Sequence, residues 1–492
     1  MKYCLKIPLV FLIVTSCVFA DTSLTIYNQG FGVIRESLPI ELKKGENQIE
    51  FNGVTQLLEP DSVVFQSRKS DSYFVISEQN YRDDPLSVNS LMKKFEGQVI
   101  SFEQKYADGI RTIEGRIIKA PSQGVSRYPH NNGYSQIIEV DGKWHLQSPG
   151  TPIFPPLPKG TLLKPTLQWK IHSEKALKDE AELAYLSGGL RWEADYNIVA
   201  PEESDEVSIT GWVTLENNCG VDLNDAKIKL VAGSVNKIVA RNQPRAKAYS
   251  RTLGAEGSFG SHKVTEKSFD DYHMYSLPNR MDFFQNESKQ VEFFRASGVK
   301  AKRVYAYSGN KIDPRNSSRY RYHSSINNNK QLGGDFNKKV SILREFENTK
   351  NNNLGIPLPK GVIRFYRKDK EDGQLEFVGE NVISHTPKEE TVSLYTGAAF
   401  DLVGERVRKD FKIDGRTKTL TEVYEITLRN HKKEDVQIKV SESMWRWSNW
   451  KISESSLRHT KKNSETIEFL VPVKADGESK VTYTVSYNWD RP

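Results

Sequence analysis

Two tryptophans in MWRWSNW, residues 444–450, are the side chains most typical of a binding site in this sequence. Trp445 and Trp447 are two positions apart, so on a strand they project from the same face. Flat rings on one face can stack on sugars, but they can equally fill the core between two sheets. The spacing predicts ligand binding at Trp445 and Trp447, with core packing as the alternative. Trp450 has the opposite parity, and a structural role is expected for it.

A second candidate is the segment RNSSRYRYH, residues 315–323, in which Arg319 and Arg321 alternate with tyrosines. Guanidinium groups interleaved with phenol rings can hold phosphates or other anionic groups. We therefore expect Arg319 and Arg321 to bind anionic polymers, with a solvated loop as the alternative.

Carboxylates could support glycoside hydrolysis if two of them faced each other across a cleft. Glu193 and Asp195 in RWEADY share strand parity, which makes them the candidate pair. The alternative is an exposed polar strand face opposite core positions at Trp192 and Tyr196.

Other catalytic and metal motifs are weak or missing from the sequence. No two histidines stand four apart with a glutamate between them, and no serine lies in a G-x-S-x-G elbow, so we expect neither a metal nor a cofactor. His273 follows Asp270 and Asp271, which indicates either an acid/base or metal cluster or a solvated loop. Cys219 is the one cysteine outside the first twenty residues, and it lacks an evident base partner.

The first twenty residues resemble a secretory signal. Lys2 and Lys6 precede an apolar run that ends in Val18, Phe19 and Ala20, so cleavage is expected after Ala20. Lipid anchoring at Cys17 is the alternative, and the apolar run is too short for a membrane anchor. These features predict an exported protein, periplasmic or extracellular, with no transmembrane span in the mature chain.

Charge argues against nucleic acid as a partner. The formal net charge of +7 falls to +5 after cleavage, because the signal contains two lysines and no acid (7 − 2 = 5). This excess is too dilute for a polymer as highly charged as nucleic acid.

Strand patterns dominate the chain. From Val481 to Trp489, apolar and hydroxyl residues alternate with period two, and residues 424–440 read as a hairpin with its turn at 431–435. Residues 23–54 read as another hairpin, in which residues 43–47 separate two strand-like runs. Asp84 before Pro85 is expected to cap a short helix that includes Met92. The segments 213–230 and 425–440 share T-L-x-N, a turn and D-x-x-I-K, which predicts two related β-sandwiches.

These patterns predict a mainly β, multi-domain protein with immunoglobulin-like β-sandwich modules and a small N-terminal barrel-like insertion. The expected segments are a signal peptide at 1–20, an N-terminal β region with the small barrel-like module at 21–160, a central β-sandwich part at 161–240, a flexible loop at 241–285, a central β part at 286–404 with a mobile loop at 309–337, and a C-terminal immunoglobulin-like sandwich at 405–492.

The segment GIPLPKGVIRFYRKDKEDGQLEFVGENVISHTPKEETVSLYTGAAFDLVGER, residues 355–406, closely resembles the signature of the domain of unknown function 4139 family. The stretches SGGLRWEADYNIV and DLNDAKIKLVAG are also similar to it. The resemblance implies an exported, mostly bacterial, β-rich protein, distantly similar to mucoidy-inhibitor-type proteins, with no catalytic residues to transfer. The chain departs from the family at Cys219, where a serine is usual, and in the loops around 241–270 and 309–337.

Together these features favour a non-enzymatic envelope protein that binds another protein or a surface polymer. A hydrolase of cell-wall or surface polysaccharide is the first alternative, and a binder of anionic envelope polymers is the second. An exposed sheet edge could also accept a strand from a partner.

Overall fold

A computed structural model describes the chain over residues 21–68, 74–83, 87–107, 109–121, 136–157, 161–201, 204–233, 235–237, 264–269, 272–310, 330 and 336–489. The expected signal peptide, Arg319 and Arg321 therefore lie outside the described residues, as does most of the predicted loop at 309–337.

The described elements are almost entirely strands. The first fifteen are β1 (Ser23–Tyr27), β2 (Phe31–Leu42), β3 (Gly45–Asn52), β4 (Val64–Ser67), β5 (Phe74–Arg82), β6 (Val99–Tyr106), β7 (Gly109–Lys119), β8 (Ile137–Val140), β9 (Lys143–His145), β10 (Thr151–Ile153), β11 (Thr166–Ser173), β12 (Leu177–Gly188), β13 (Leu190–Pro201), β14 (Glu206–Asn217) and β15 (Leu223–Ala232). The next fifteen are β16 (Thr265–Phe269), β17 (Tyr272–Ser276), β18 (Met281–Phe283), β19 (Glu287–Lys300), β20 (Lys302–Tyr307), β21 (Lys339–Glu347), β22 (Gly361–Lys368), β23 (Leu375–Ile383), β24 (Thr391–Asp414), β25 (Thr419–Asn430), β26 (Val436–Ser443), β27 (Trp450–Ser455), β28 (His459–Lys461), β29 (Thr466–Val473) and β30 (Gly477–Asn488). One helix, α1 (Val88–Lys94), and 3-10 turns at Pro60–Ser62 and Lys350–Asn352 complete the set.

Strand pairing joins these elements into separate sheets, which confirms the mainly β, multi-domain prediction. The sheets are an eight-stranded one of order β16-β17-β15-β1-β2-β12-β4 with β18 beside β15, a five-stranded one of order β10-β6-β7-β8-β9, a three-stranded one of order β3-β11-β5, a five-stranded one of order β19-β14-β13-β22-β23, and a nine-stranded one of order β27-β30-β25-β24-β21-β20-β26-β29-β28.

The chain packs as two compact units, residues 1–192, 215–231 and 274–289 in the first and residues 193–214, 232–273 and 290–492 in the second. In the first unit, β2 and β12 pair antiparallel along their whole length. Alternate side chains of β12 point inward, so Ala181, Leu183 and Tyr185 are buried.

The predicted barrel-like module is an open five-stranded antiparallel sheet, because its edge strands β10 and β9 do not pair with each other among the described residues. Its core includes Met92 and Phe95 from α1 and its flank. The predicted helix is confirmed, but its N-cap is Ser87, which forms a capping box with Ser90. The expected cap, Asp84, lies outside the described residues.

The C-terminal β-sandwich consists of two layers of the nine-stranded sheet. Residues of β25 and β30 share one core with residues of β26 and β29, and the Phe469 and Tyr483 rings meet across it with centroids 5.8 Å apart. The predicted alternation in β30 is confirmed, because Val481, Tyr483, Val485 and Tyr487 are all buried. Residue 405, the expected start of this domain, lies inside β24.

Both predicted hairpins are wrong. β25 pairs with β24 and β30, whereas β26 pairs with β20 and β29. Likewise, β2 pairs with β1 and β12, whereas β3 pairs with β11. At each polar turn the chain leaves one layer or sheet and enters another, which period-two alternation cannot distinguish from a hairpin.

A buried asparagine stabilises the turn at the corresponding position of each of the two repeated segments. Asn217 and Asn430 are fully buried at strand ends. Each accepts a hydrogen bond from the N–H two residues later and donates one to the carbonyl four residues later. The repeat seen in the sequence therefore corresponds to one shared corner geometry.

The predicted flexible loop at 241–285 contains β16, β17 and β18. Met274 and Tyr275 of β17 are buried, so apolar packing holds this segment as a strand. Residues 241–263, 270 and 271 of that loop lie outside the described residues.

Candidate functional site

Trp445 and Trp447 do not lie on a strand face, because β26 ends at Ser443 and residues 444–449 form no strand. Trp445 is half-buried, and the Arg446 guanidinium lies 4.6 Å from the centre of its ring. Trp447 is 40% exposed, so it offers its ring to solvent. Trp450, for which a structural role was expected, packs against the core of the sandwich.

Asp195, one member of the predicted carboxylate pair, is part of a polar row across the five-stranded sheet of the second unit. Thr214 Oγ1 donates to Asp195 Oδ2 at 3.2 Å, and Gln290 Nε2 donates to Thr214 Oγ1 at 3.2 Å. On the other side of Asp195, Arg364 Nη1 lies 3.4 Å from its Oδ1, and Arg364 Nε lies 3.7 Å from Glu380 Oε2. Asp195 is thus held by neighbours within the sheet.

The alternative reading of this strand, a polar face opposite a core, is confirmed. Trp192 and Tyr196 are both buried, and Glu193 is exposed on the parity of Asp195. Two carboxylates on adjacent positions of one strand face do not form a pair that faces across a cleft.

His273 forms a pair with a carboxylate that the sequence analysis did not select. Its Nδ1 lies 2.9 Å from Glu266 Oε1, and Lys388 Nζ lies 3.2 Å from Glu266 Oε2. Burial raises the pKa of Glu266, but the hydrogen bonds from His273 and Lys388 outweigh this and hold the pKa below 4.5. Asp270 and Asp271 lie outside the described residues. Among the residues that are described, no group of three metal-ligating side chains comes together.

Cys219 is buried, and its Sγ lies 3.7 Å from the carbonyl oxygen of Val221. Burial raises the pKa of its thiol to about 11, so the nucleophilic thiolate is suppressed at neutral pH. This environment favours a structural role.

The apolar surface that sequence reasoning missed is β23, the edge strand of the five-stranded sheet. Phe377 and Val382 are 56% and 60% exposed, and Leu375 and Val378 are also exposed. The Phe377 ring meets Tyr366 of β22 edge to face, with centroids 5.8 Å apart. Exposed apolar side chains on an edge strand are typical of a surface that pairs with another chain.

The backbone of β23 is oriented for such pairing. The N–H of Val382 donates to Asn381 Oδ1 at 2.8 Å, which places this donor on the side of β23 away from β22. Because outward donors recur every second residue in an antiparallel strand, the N–H of Glu380 points the same way. A register shift lies between Phe377 and Gly379, so β23 is regular from Gly379 to Ile383.

The sequence contained a weak signal for this edge. In LEFVGENVI, residues 375–383, apolar residues occur on both parities, which suits neither a strand with one buried face nor a solvated loop. The pattern shows an apolar strand but cannot show that its partner side is open.

Fold and surfaces together define a mainly β, multi-domain protein with a β-sandwich and an apolar edge strand. In the described part of the chain, no helix is long and apolar enough to cross a membrane. No family model matches the chain, and neither a curated protein nor a solved structure was found that matches it.

Proposed function

We propose that this chain is a non-enzymatic binding or scaffold protein of the cell envelope that holds a partner protein by strand addition at β23. The carrying observation is the edge itself, which combines exposed apolar side chains with outward backbone donors at Glu380 and Val382. Export to the periplasm or the extracellular space, as the first twenty residues predict, is part of the proposal.

An extended peptide is the occupant that fits these groups. In strand addition, main-chain hydrogen bonds supply affinity and alternate side chains supply specificity. Glu376 and Glu380 stand opposite Arg367 and Arg364 of β22, so the acidic residues of β23 already face cations. We therefore expect the added strand to be uncharged and apolar where it covers Phe377 and Val382.

The partners of Asp195, the candidate catalytic acid, favour binding over the hydrolase alternative. Asp195 accepts a hydrogen bond from Thr214 and pairs with Arg364, whereas a hydrolase needs one carboxyl free to protonate the leaving group. Its partners suit a stable sheet face rather than proton transfer.

The proposal is tested by photo-crosslinking in intact cells, with benzoylphenylalanine in place of Phe377. Phe400 is 97% exposed but lies on β24, so the same replacement there is the matched control. The expected result is a discrete protein adduct at position 377 that is missing at position 400.

Glu380→Pro distinguishes strand addition from non-specific hydrophobic association. Proline removes the outward N–H of residue 380 without removing a hydrogen bond to β22, and Gly379 before it has no Cβ to clash with the ring. Glu380→Gln removes the same charge but keeps the N–H. We expect the adduct to persist in Glu380→Gln and to fall at least tenfold in Glu380→Pro. Equal adducts in both variants, or none at position 377, would overturn the proposal.

A further inference from the structure

Three side chains of the first unit carry buried oxygens that have no partner within the protein. Tyr185 of β12 and Thr55, which follows β3, are 2% and 0% exposed, and Oε2 of Glu36 on β2 is also buried. The Tyr185 hydroxyl, Thr55 Oγ1 and Glu36 Oε2 form no hydrogen bond with any residue that the structure describes. Burying a polar group without a hydrogen bond is costly, so these oxygens indicate a bound partner.

Strand register brings Glu36 and Tyr185 together. Glu36 stands opposite Leu183, which lies two residues before Tyr185 on β12. Glu36 and Tyr185 are therefore diagonal neighbours on the inward face of the β2–β12 pair. Long side chains at such positions reach one another across the two strands.

Thr55 joins these two residues from a different segment. Burial raises the pKa of Tyr185 well above its ordinary value of 10, and Glu36 and Cys219 raise it further, so both lie near the phenol. The backbone and the hydroxyl of Thr55 lower the same pKa, so they face the phenol oxygen. The segment is fixed in place, because the N–H of Gln56 donates to the carbonyl of Cys219 at 2.9 Å.

We propose that Glu36, Thr55 and Tyr185 hold one buried water molecule that forms hydrogen bonds with all three. Buried waters typically make about three hydrogen bonds to polar groups that otherwise lack partners, and this site offers that number. The water links β2, β12 and the segment after β3. The site is separate from the edge of β23 and does not depend on strand addition there.

A cation suits these groups less well than water does. Thr55 and Tyr185 carry hydroxyl hydrogens, and at pH 5 Glu36 carries one too, because burial raises its pKa to about 7. A metal ion takes only lone pairs, so it would leave those hydrogens without acceptors. A water molecule both donates and accepts, so it can pair with the hydrogens and the lone pairs of the three groups.

The first test is a crystal structure of chain 21–492 at pH 5, at a resolution that shows ordered waters, with a second crystal soaked in rubidium chloride. We expect a water about 2.7–3.0 Å from Glu36 Oε2, Thr55 Oγ1 and the Tyr185 hydroxyl, without anomalous rubidium signal. Direct hydrogen bonds among the three groups, or no density between them, would overturn the proposal. Rubidium at this position would replace the water with a cation site.

A second test uses the sign of a stability change. Tyr185→Phe removes one partner of the water and keeps the ring, so we expect the unfolding equilibrium constant to rise about tenfold in urea at pH 5, read by hydrogen exchange on peptides from β12. Without the water, the hydroxyl would be buried and unpartnered, and its removal would stabilise the protein. Stabilisation, or no change, would therefore contradict the water site.

A double-mutant cycle shows whether the water is shared. Thr55→Val is expected to act like Tyr185→Phe, and the double variant should fall well short of the product of the two effects, because either loss already weakens the water. Thr166→Val is the control, since buried Thr166 bonds directly to Asn52 Oδ1 at 2.7 Å and to the carbonyl of Lys164 at 2.9 Å. Its effect should multiply with that of Tyr185→Phe. Equal behaviour of Thr55→Val and Thr166→Val in the cycle would overturn the shared water.

Discussion

The buried carboxyl group of Glu36 is expected to lower the free energy of unfolding as the pH rises toward neutrality. It lies on the inward face of β2 between buried Ile34 and Ile40, opposite Leu183 of β12. Its Oε2 is buried and has no hydrogen-bond partner in the described part of the chain. Burial raises the pKa of Glu36 from 4.5 to about 7, because the charged carboxylate is costly in this interior.

The size and sign of the effect follow from proton linkage. Between pH 4.5 and pH 7, the folded state keeps a proton that the unfolded state has released, so the free energy of unfolding falls as the pH rises. At about 1.36 kcal/mol for each pH unit, a pKa of about 7 against 4.5 amounts to about 3 kcal/mol. This contribution is fully present below pH 4.5 and is lost once the pH has passed 7.

The assay is urea unfolding at pH 5 and pH 8, read by pulsed hydrogen exchange on peptides from β2 and β12. Between pH 5 and pH 8 the wild-type difference is about 2.5 kcal/mol, because pH 5 already lies above 4.5, and Glu36→Gln is expected to remove it. Glu41→Gln is the control, since Glu41 is an exposed residue of the same strand that pairs with Lys178 at 3.2 Å, and it should keep the wild-type pH dependence. A wild-type protein equally stable at both pH values, or a Glu36→Gln variant with the wild-type loss, would refute the argument.

Three other predictions concern the interior. Glu422→Gln leaves Arg408 and Arg446 without their shared counter-charge and should cost about 3–5 kcal/mol in urea unfolding, whereas a loss under about 1 kcal/mol would contradict the buried network. Asn430→Ala leaves the carbonyls of Glu434 and Lys474 without the donor that Asn430 provides, and it should lower the free energy of unfolding by about 2–3 kcal/mol. Asn430→Asp should not restore stability, because a carboxylate cannot donate a hydrogen bond. Cys219 should resist iodoacetamide in the native protein at pH 8 and react in urea, and rapid native labelling would contradict its burial.

Strands were predictable from the sequence where one face is buried and the other is solvated. The alternation in β30 is as clear in the residues as in the fold. Strand partners were not predictable, because alternation fixes which side chains point inward but not which strand lies alongside. The corner after Asn430 shows the reason, since its side chain bonds both to its own turn and to the carbonyl of Lys474, far along the chain.

The candidate sites were only partly predictable. The sequence marked Trp445 and Trp447 by type and spacing, but it could not show that Arg446 between them turns inward to Glu422. Phe377 was missed because an apolar residue in a strand reads as core, and exposure depends on the absence of a neighbouring strand. Glu36 was missed because a charged residue within a strand reads as solvated.

Hydrogen exchange on the complex tests strand addition most directly. The partner captured at position 377 is purified and added to chain 21–492, and exchange is compared across peptides from β23 and from β19, the opposite edge of the same sheet. The account predicts slower exchange in 375–383, where the amides of Glu380 and Val382 gain main-chain acceptors, and no change in β19. Unchanged exchange in 375–383 in the presence of saturating partner would contradict strand addition at β23.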